Sequence, residues 1–215
     1  MATKTRQRLI DTATRRFYRD GFRNVGLDQI LTDVGISKTA FYKHFSCKDD
    51  LMLAVLDNHD TWFRDAFMDM IRNHGGEAAA DQLYALMDVV NEIISSDDFH
   101  GCIFVNAAME FPLAHDPAHA AAAKNKAAIE SIVCEIARRA GAVEPEALAS
   151  QLCLIVEGAY VTYQVTGNQL TVDIARSVAH RVIDAHLKSV KKTRSSSKAA
   201  RTAGRESKRS AVAAS

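Results

Sequence analysis

Apolar residues recur every three to four positions along most of this chain, the period of one face of an α-helix, with polar residues between them. Ile10, Ala13 and Phe17 form the first stripe and lead into Gly21, predicting a helix over about the first twenty residues. Leu27, Ile30, Leu31 and Val34 form a second, shorter stripe between Gly26 and Gly35. A long helix is predicted from Lys48 to His74, opened by Asp49 and Asp50 and closed by Gly75 and Gly76. Further helices are predicted from Ala78 to Ile94, Cys102 to Phe111, Pro117 to Ala140, Pro145 to Val165 and Val172 to Val190. Val161–Ile174 also reads as a hairpin around Thr166, Gly167 and Asn168. Helix, loop, helix is preferred there, because the 3.6-residue period runs on to Tyr163. The expected fold is all-α, about nine helices, with an N-terminal three-helix unit followed by a larger helical body.

The segment from Gly35 to Lys48, Gly-Ile-Ser-Lys-Thr-Ala-Phe-Tyr-Lys-His-Phe-Ser-Cys-Lys, carries the most chemistry. Gly35 can take the positive φ that ends a helix, and Ser37 can accept a backbone N–H bond at the start of the next. In that next helix Phe41 and Phe45 point inward, leaving Lys38, Thr39, Tyr42, Lys43 and His44 outside. Two short helices joined by such a turn, the second with a basic and polar outer face, make a helix-turn-helix suited to a DNA groove and its phosphates.

Charge sharpens this picture. The formal net charge of +1 hides three segments: nine basic against four acidic residues through Ser46, nine against 21 from Cys47 to Leu187, and nine against one from Lys188 onward. A basic head on an acidic body presents one end to phosphate and keeps the rest away. Solvated helix faces are the bland alternative. The tail after Leu187 is rich in Lys, Arg, Ser and Ala and is expected to stay disordered, adding salt-sensitive DNA affinity or merely solubility.

The head resembles the DNA-binding domain of the TetR family of bacterial transcription regulators. Gly35, Tyr42, Phe45 and Lys48 fall at that family's spacing, as do Ile10, Ala13, Phe17, Gly21 and Ile30 upstream. Departures occur at Val25 and Gly26, at Leu31 and at Cys47, and they affect helix caps more than the fold. The resemblance implies that Tyr42 and Lys48 grip phosphates, with Lys4 or Arg6 helping. It also implies that Ser37, Lys38, Thr39 and Lys43 reach base edges, with His44 beside them and Gln29 adding a contact from the second helix. It implies a homodimer on a near-palindromic double-stranded operator, read here as a ligand-responsive repressor, with an activator as the alternative. The last two long helices, with Gly158 and Ala159, would form the interface.

Gly101 to Glu110 is similar to a segment in one branch of that family, where it lines an effector cavity. Carried over, this nominates Cys102, Val105, Asn106 and Met109, with Trp62, Phe63, Phe67, Tyr160 and Tyr163 as other walls. The effector would be small and mostly apolar with one or two polar anchors. Plain core packing is the alternative for each, and Tyr160 and Tyr163 could equally be dimer contacts. Cys102 follows a glycine at a helix start and could act as a thiol sensor of electrophiles; a buried small hydrophobe is its default reading.

The expected domains are 1–47 for DNA binding, 48–190 for ligand binding and dimerisation, and 191–215 for the basic tail. No run of 18 apolar residues and no leader pattern appears, so a cytoplasmic protein away from membranes is expected. Cys47, Cys102, Cys134 and Cys153 show no CxxC pairing and read as free thiols. No cofactor or metal is expected. His59, His100, His115, His119, His180 and His186 have no nucleophile or metal partner in sequence and are assigned no chemistry. An enzyme is disfavoured for lack of a phosphate loop, a metal constellation or a nucleophile–base spacing. A helical adaptor that binds protein instead of DNA is the third possibility.

Overall fold

A computed structural model describes residues 2–187. The predicted basic tail, 191–215, and the predicted end of the last helix at Val190 lie outside the described residues. The order is α1 (Ala2–Asp20), α2 (Leu27–Val34), α3 (Lys38–Phe41), α4 (Lys48–Gly75), α5 (Ala79–Tyr84), α6 (Leu86–Ile94), α7 (Ile103–Glu110), α8 (Pro117–Arg139) and α9 (Pro145–Thr166), followed by a helical run over 171–187. No strand occurs among the described residues, so the hairpin alternative at Val161–Ile174 gives way to helix, loop, helix.

The caps follow the local chemistry. Gly35 takes φ 73° and ends α2, donating its N–H to the Leu31 and Thr32 carbonyls, a conformation that favours glycine. Gly26 opens α2 and donates its N–H to Gln29 Oε1 at 2.8 Å, so Gln29 supplies the cap that glycine lacks. Ser37 Oγ accepts the Ala40 N–H at 3.2 Å. At the start of α4, Cys47 Sγ accepts from Asp50 N at 3.4 Å while the Asp50 carboxylate accepts from Ser46 N at 3.0 Å. The hydrogen bonds from Ser46 hold the Asp50 carboxyl below the usual carboxylate range.

Two hydrophobic clusters divide the interior. The first joins Phe17, Phe22, Ile30, Phe41 and Phe45 to the first turns of α4 (Leu51, Met52, Val55, Leu56), and also to Ile103, Phe104 and Ala107 of α7 and Ala118 and Ala122 of α8. Packing therefore crosses the 47/48 line and welds α7 to the head. The second cluster holds Phe67, Ile71, Leu83, Leu86, Val90, Val133, Ile136, Leu148, Leu152 and Tyr160 with Val172, Ala179 and Ile183 of the last helical run. The predicted helix Ala78–Ile94 is interrupted at Ala85, because α5 packs on α8 while α6 packs on α9.

Candidate nucleic-acid interface and candidate ligand cavity

The head presents α3 and the turn after it. The recognition helix is shorter than its sequence suggests: Tyr42 N–H bonds the Lys38 carbonyl, and the chain then tightens so that His44 N–H and Phe45 N–H both bond the Phe41 carbonyl, at 2.8 and 3.1 Å. Phe41 and Phe45 point inward as expected. Tyr42 remains 56% exposed despite its carbon content, its ring edge-on to Phe41 at 5.3 Å. Thr39 and Lys43 are exposed and His44 is half-buried. Lys38 is exposed and pairs with Asp28 at 2.9 Å, which raises its pKa. Ser37 is engaged as the α3 cap and Gln29 as the α2 cap.

Lys48 is half-buried. Its ammonium donates to the Phe22 carbonyl at 2.6 Å, lies 5.7 Å from the Phe17 ring centroid, and is pushed down in pKa by burial. Arg8 likewise donates to the Val34 carbonyl at 2.7 Å, filling an acceptor at the end of α2. Lys4 is exposed, and Arg6 lies over the Phe45 ring at 5.0 Å. Arg16 bridges α1 to Asp33 of α2 with two nitrogens, at 2.6 and 3.0 Å. The head thus uses several cations to tie itself together and leaves Tyr42, Thr39 and Lys43 facing outward.

In the body, α4, α8, α9 and the 98–104 segment enclose a cavity of about 790 Å³. Of the nominated residues, Trp62, Phe63, Phe67, Cys102 and Tyr160 line it. Trp62 is 61% exposed and stands at the rim. Val105, Asn106, Met109 and Tyr163 do not line it. On α7 the inward face is Ile103, Phe104 and Ala107, which turns Met109 outward to 77% exposure. Asn106 instead caps the loop before α7, donating to the His100 carbonyl at 3.0 Å. Tyr163 packs on Phe99 at 5.9 Å.

The polar wall was not visible in sequence. Lys126 of α8 bonds Glu157 of α9 at 2.5 Å and Cys102 Sγ at 3.2 Å. Burial works against its charge, but Cys102 and Glu157 outweigh burial and raise its pKa. Asn125 donates to the buried Asp60 at 2.8 Å, and Arg64 closes on the same carboxylate at 3.0 Å. His59, assigned no chemistry from sequence, borders the cavity among Trp62, Phe63 and Phe104, and burial lowers its pKa to about 4.

Cavity and head are joined directly. Tyr18 of α1 lines the cavity, donates to the Gly101 carbonyl at 2.7 Å and accepts from His100 N at 3.1 Å. At the far end of α7, the Glu110 carboxylate accepts the Phe22 and Arg23 N–H groups at 2.9 and 2.7 Å. Gly21 leaves room for this grip: its φ is 86°, and a Cβ there would stand 3.1 Å from Glu110 Oε1. Phe111 packs edge-on against Phe22 at 6.4 Å and lies beneath Arg23. Glu110 and Tyr18 were not singled out in sequence as joining residues, because nothing local marks a partner some 80 positions away.

A capped helix-turn-helix head fastened to a helical body with an internal cavity defines a DNA-binding transcription regulator. Residues 9–55 match the family described as bacterial regulatory proteins, tetR family, and residues 79–179 match the tetracyclin repressor-like C-terminal domain. The chain belongs to the TetR family. SCO4454, a TetR-family transcriptional regulator from Streptomyces coelicolor, superposes with TM-score 0.79 at 30% identity, over 86% of this chain and 97% of that one. The HTH-type transcriptional regulator YjdC of Escherichia coli is 21% identical over 182 residues, covering 83% of this chain and 93% of that protein. The reduced form of E. coli NemR shares the fold, with TM-score 0.74 at 19% identity over 82% of this chain and 95% of that one. No helix among the described residues is long and apolar enough to cross a membrane, and no metal-binding cluster occurs among them.

Proposed function

We propose that this chain is a homodimeric, ligand-responsive repressor that binds a near-palindromic operator and is released when a small, mostly apolar effector fills the cavity. The observation that carries this reading is α7. Its first turn, Ile103 and Phe104, borders the cavity, and its last residue, Glu110, holds the head by two backbone N–H groups. A ligand that displaces the start of α7 would re-aim the head, and a change in head separation would lower affinity for two half-sites about 34 Å apart.

In this reading Tyr42, Lys43 and Thr39 meet the DNA, with Ser37, Lys38, His44 and Gln29 bordering the contact and Lys4 or Arg6 reaching phosphate. Lys48 acts chiefly by fixing the turn at Phe22 against α4. The dimer face is supported by an exposed apolar row, Leu154, Val161 and Val165 on α9 with Leu170, Ile174 and Val178 beyond it. Gly158 is open on α9, whereas Ala159 is buried in the chain's own core, so only the former is free to meet a partner.

The test is to incubate the purified protein with fragmented DNA of its source organism at two salt concentrations and to sequence what is retained. One palindromic motif is expected; only salt-sensitive, sequence-blind retention would defeat the proposal. A second reading, Cys102 as a thiol sensor, is favoured by the Lys126 ammonium beside its sulfur. Release of operator by N-ethylmaleimide should then be lost in Cys102→Ser; an unaltered response would end it.

A further inference from the structure

The walls of the cavity discriminate by charge. Four carboxylates and one ammonium border it, an arrangement that at first suggests a cationic ligand. Glu157 is held by Lys126, Glu92 is paired with His74 at 2.7 Å, and the Glu130 carboxylate accepts from the exposed Ser150 hydroxyl. Asp98 is exposed at the rim. A charged ligand would therefore lose its hydration on entry, find Lys126 and Glu157 already engaged with each other, and meet the exposed Glu92 and Asp98 carboxylates only where water screens them. Separating Lys126 from Glu157 to receive it would leave the other member of the pair uncompensated.

Two polar groups on the wall are different. The Tyr160 hydroxyl and the His59 imidazole have no hydrogen-bond partner among the described residues, and both side chains border the cavity. Tyr160 is only 8% exposed, its ring packs on Phe99 at 6.1 Å, and its side chain borders the cavity. Burial holds the hydroxyl protonated, hence a donor, and holds the His59 ring neutral. The apolar surface beside them is aromatic and ordered, with His59, Phe63 and Phe67 rings nearly parallel in sequence along α4, 6.1 and 5.7 Å apart.

We propose that the cavity takes an uncharged, ring-bearing molecule with a carbonyl or ether oxygen, that the oxygen accepts from the Tyr160 hydroxyl, and that the rings pack along His59, Phe63 and Phe67. This rests on reading the cavity as the effector site and narrows the effector to a chemical class. A phenol donor on an otherwise apolar wall favours a ligand that brings an acceptor over an alkane that would strand it.

The test uses three probes on the full chain: Nile red, which is uncharged and planar with one carbonyl; crystal violet, a lipophilic cation; and decanoate, an apolar anion. Binding is followed by calorimetry and by the emission of Trp62, the single tryptophan. Nile red is expected to bind at least about 10-fold more tightly than either charged probe. Tyr160→Phe should weaken Nile red by roughly 3- to 10-fold, the worth of one hydrogen bond, while the variant stays folded with its melting temperature maintained. Equal or tighter binding of crystal violet or decanoate, no binding of Nile red, or unchanged Nile red affinity in a folded Tyr160→Phe protein would each overturn the proposal. Operator release is read separately. Nile red bound through Tyr160 without any effect on operator affinity would spare the ligand class and sink the effector reading; crystal violet releasing the operator would do the reverse.

Discussion

The two hydrophobic clusters are built from similar residues and behave as opposites. In the head, Phe17 and Phe22 rings lie 5.1 Å apart, Phe41 and Phe45 lie 5.7 Å apart, and Arg8, Arg16 and Lys48 bind carbonyls or carboxylates of the same unit. In the body, Phe63, Phe67 and Tyr160 border a hollow, and the Tyr160 hydroxyl and His59 imidazole there have no hydrogen-bond partner among the described residues. A close-packed core has few alternative arrangements of similar energy and moves as one piece. A hollow with unpaired donors has favourable arrangements still to reach, and a ligand can select among them. On the proposed function, the contrast separates a reader that must keep its shape from a receiver that must change.

The sharpest way to break this comparison is truncation on each side. Phe41→Ala in the head, at a fully buried site, should cost about 3–5 kcal/mol in denaturant unfolding. Phe67→Ala should fall at or below the lower end of that range, since its ring already borders the hollow; equal losses would erase the distinction. Next in size is the joint between the two. Glu110→Ala removes a carboxylate that accepts two N–H bonds and should cost about 1.5–3 kcal/mol. It should also shrink the effect of any cavity ligand on operator affinity; an unaltered ligand response would exclude α7 as the connection.

Acid titration should then resolve the two regions by pH. His59 has a lowered folded-state pKa, so its contribution is complete above the unfolded value near 6.5 and is lost as pH falls toward about 4. The loss should be on the order of 1–2 kcal/mol, and His59→Phe should flatten it. In the head, Arg19 and Arg16 hold Asp20 down at about 2 and Arg16 lowers Asp33. Their contribution therefore persists until pH drops below the ordinary aspartate value of 3.8 and fades toward 2. Body-first loosening between pH 6.5 and 4, read by Trp62 emission, is the expected order. The smallest effect belongs to Asp28→Ala, which frees the exposed Lys38 and should leave the denaturant midpoint essentially where it was.

Much of this architecture was legible in sequence because its causes are local. The stripes at Ile10, Ala13 and Phe17 and at Leu27, Ile30 and Leu31, the cap at Ser37 and the turn at Gly35 each express a period or a preference spanning a few residues. Less was legible where a local signal had a competing partner. Met109 sits at helical spacing from residues near the cavity, yet the packing of Ile103, Phe104 and Ala107 turned its face to solvent. Lys48 carries the family spacing, but its ammonium found the Phe22 carbonyl. Gln29 faces outward on α2 and caps the helix instead of remaining free.

By itself, then, the sequence determined the helical repertoire, the helix-turn-helix, the segregation of charge and, through its spacing, the family. Those properties depend on side chains within one or two turns of each other. Only the tertiary structure decided that a hollow survives between α4, α8 and α9, that Lys126 is answered by Glu157 and Cys102, that Tyr160 borders that hollow, and that Glu110 reaches Phe22 across 88 positions. These are encounters between surfaces of separate helices. The periodicity of a helix says which face is apolar and nothing about which residue that face will meet.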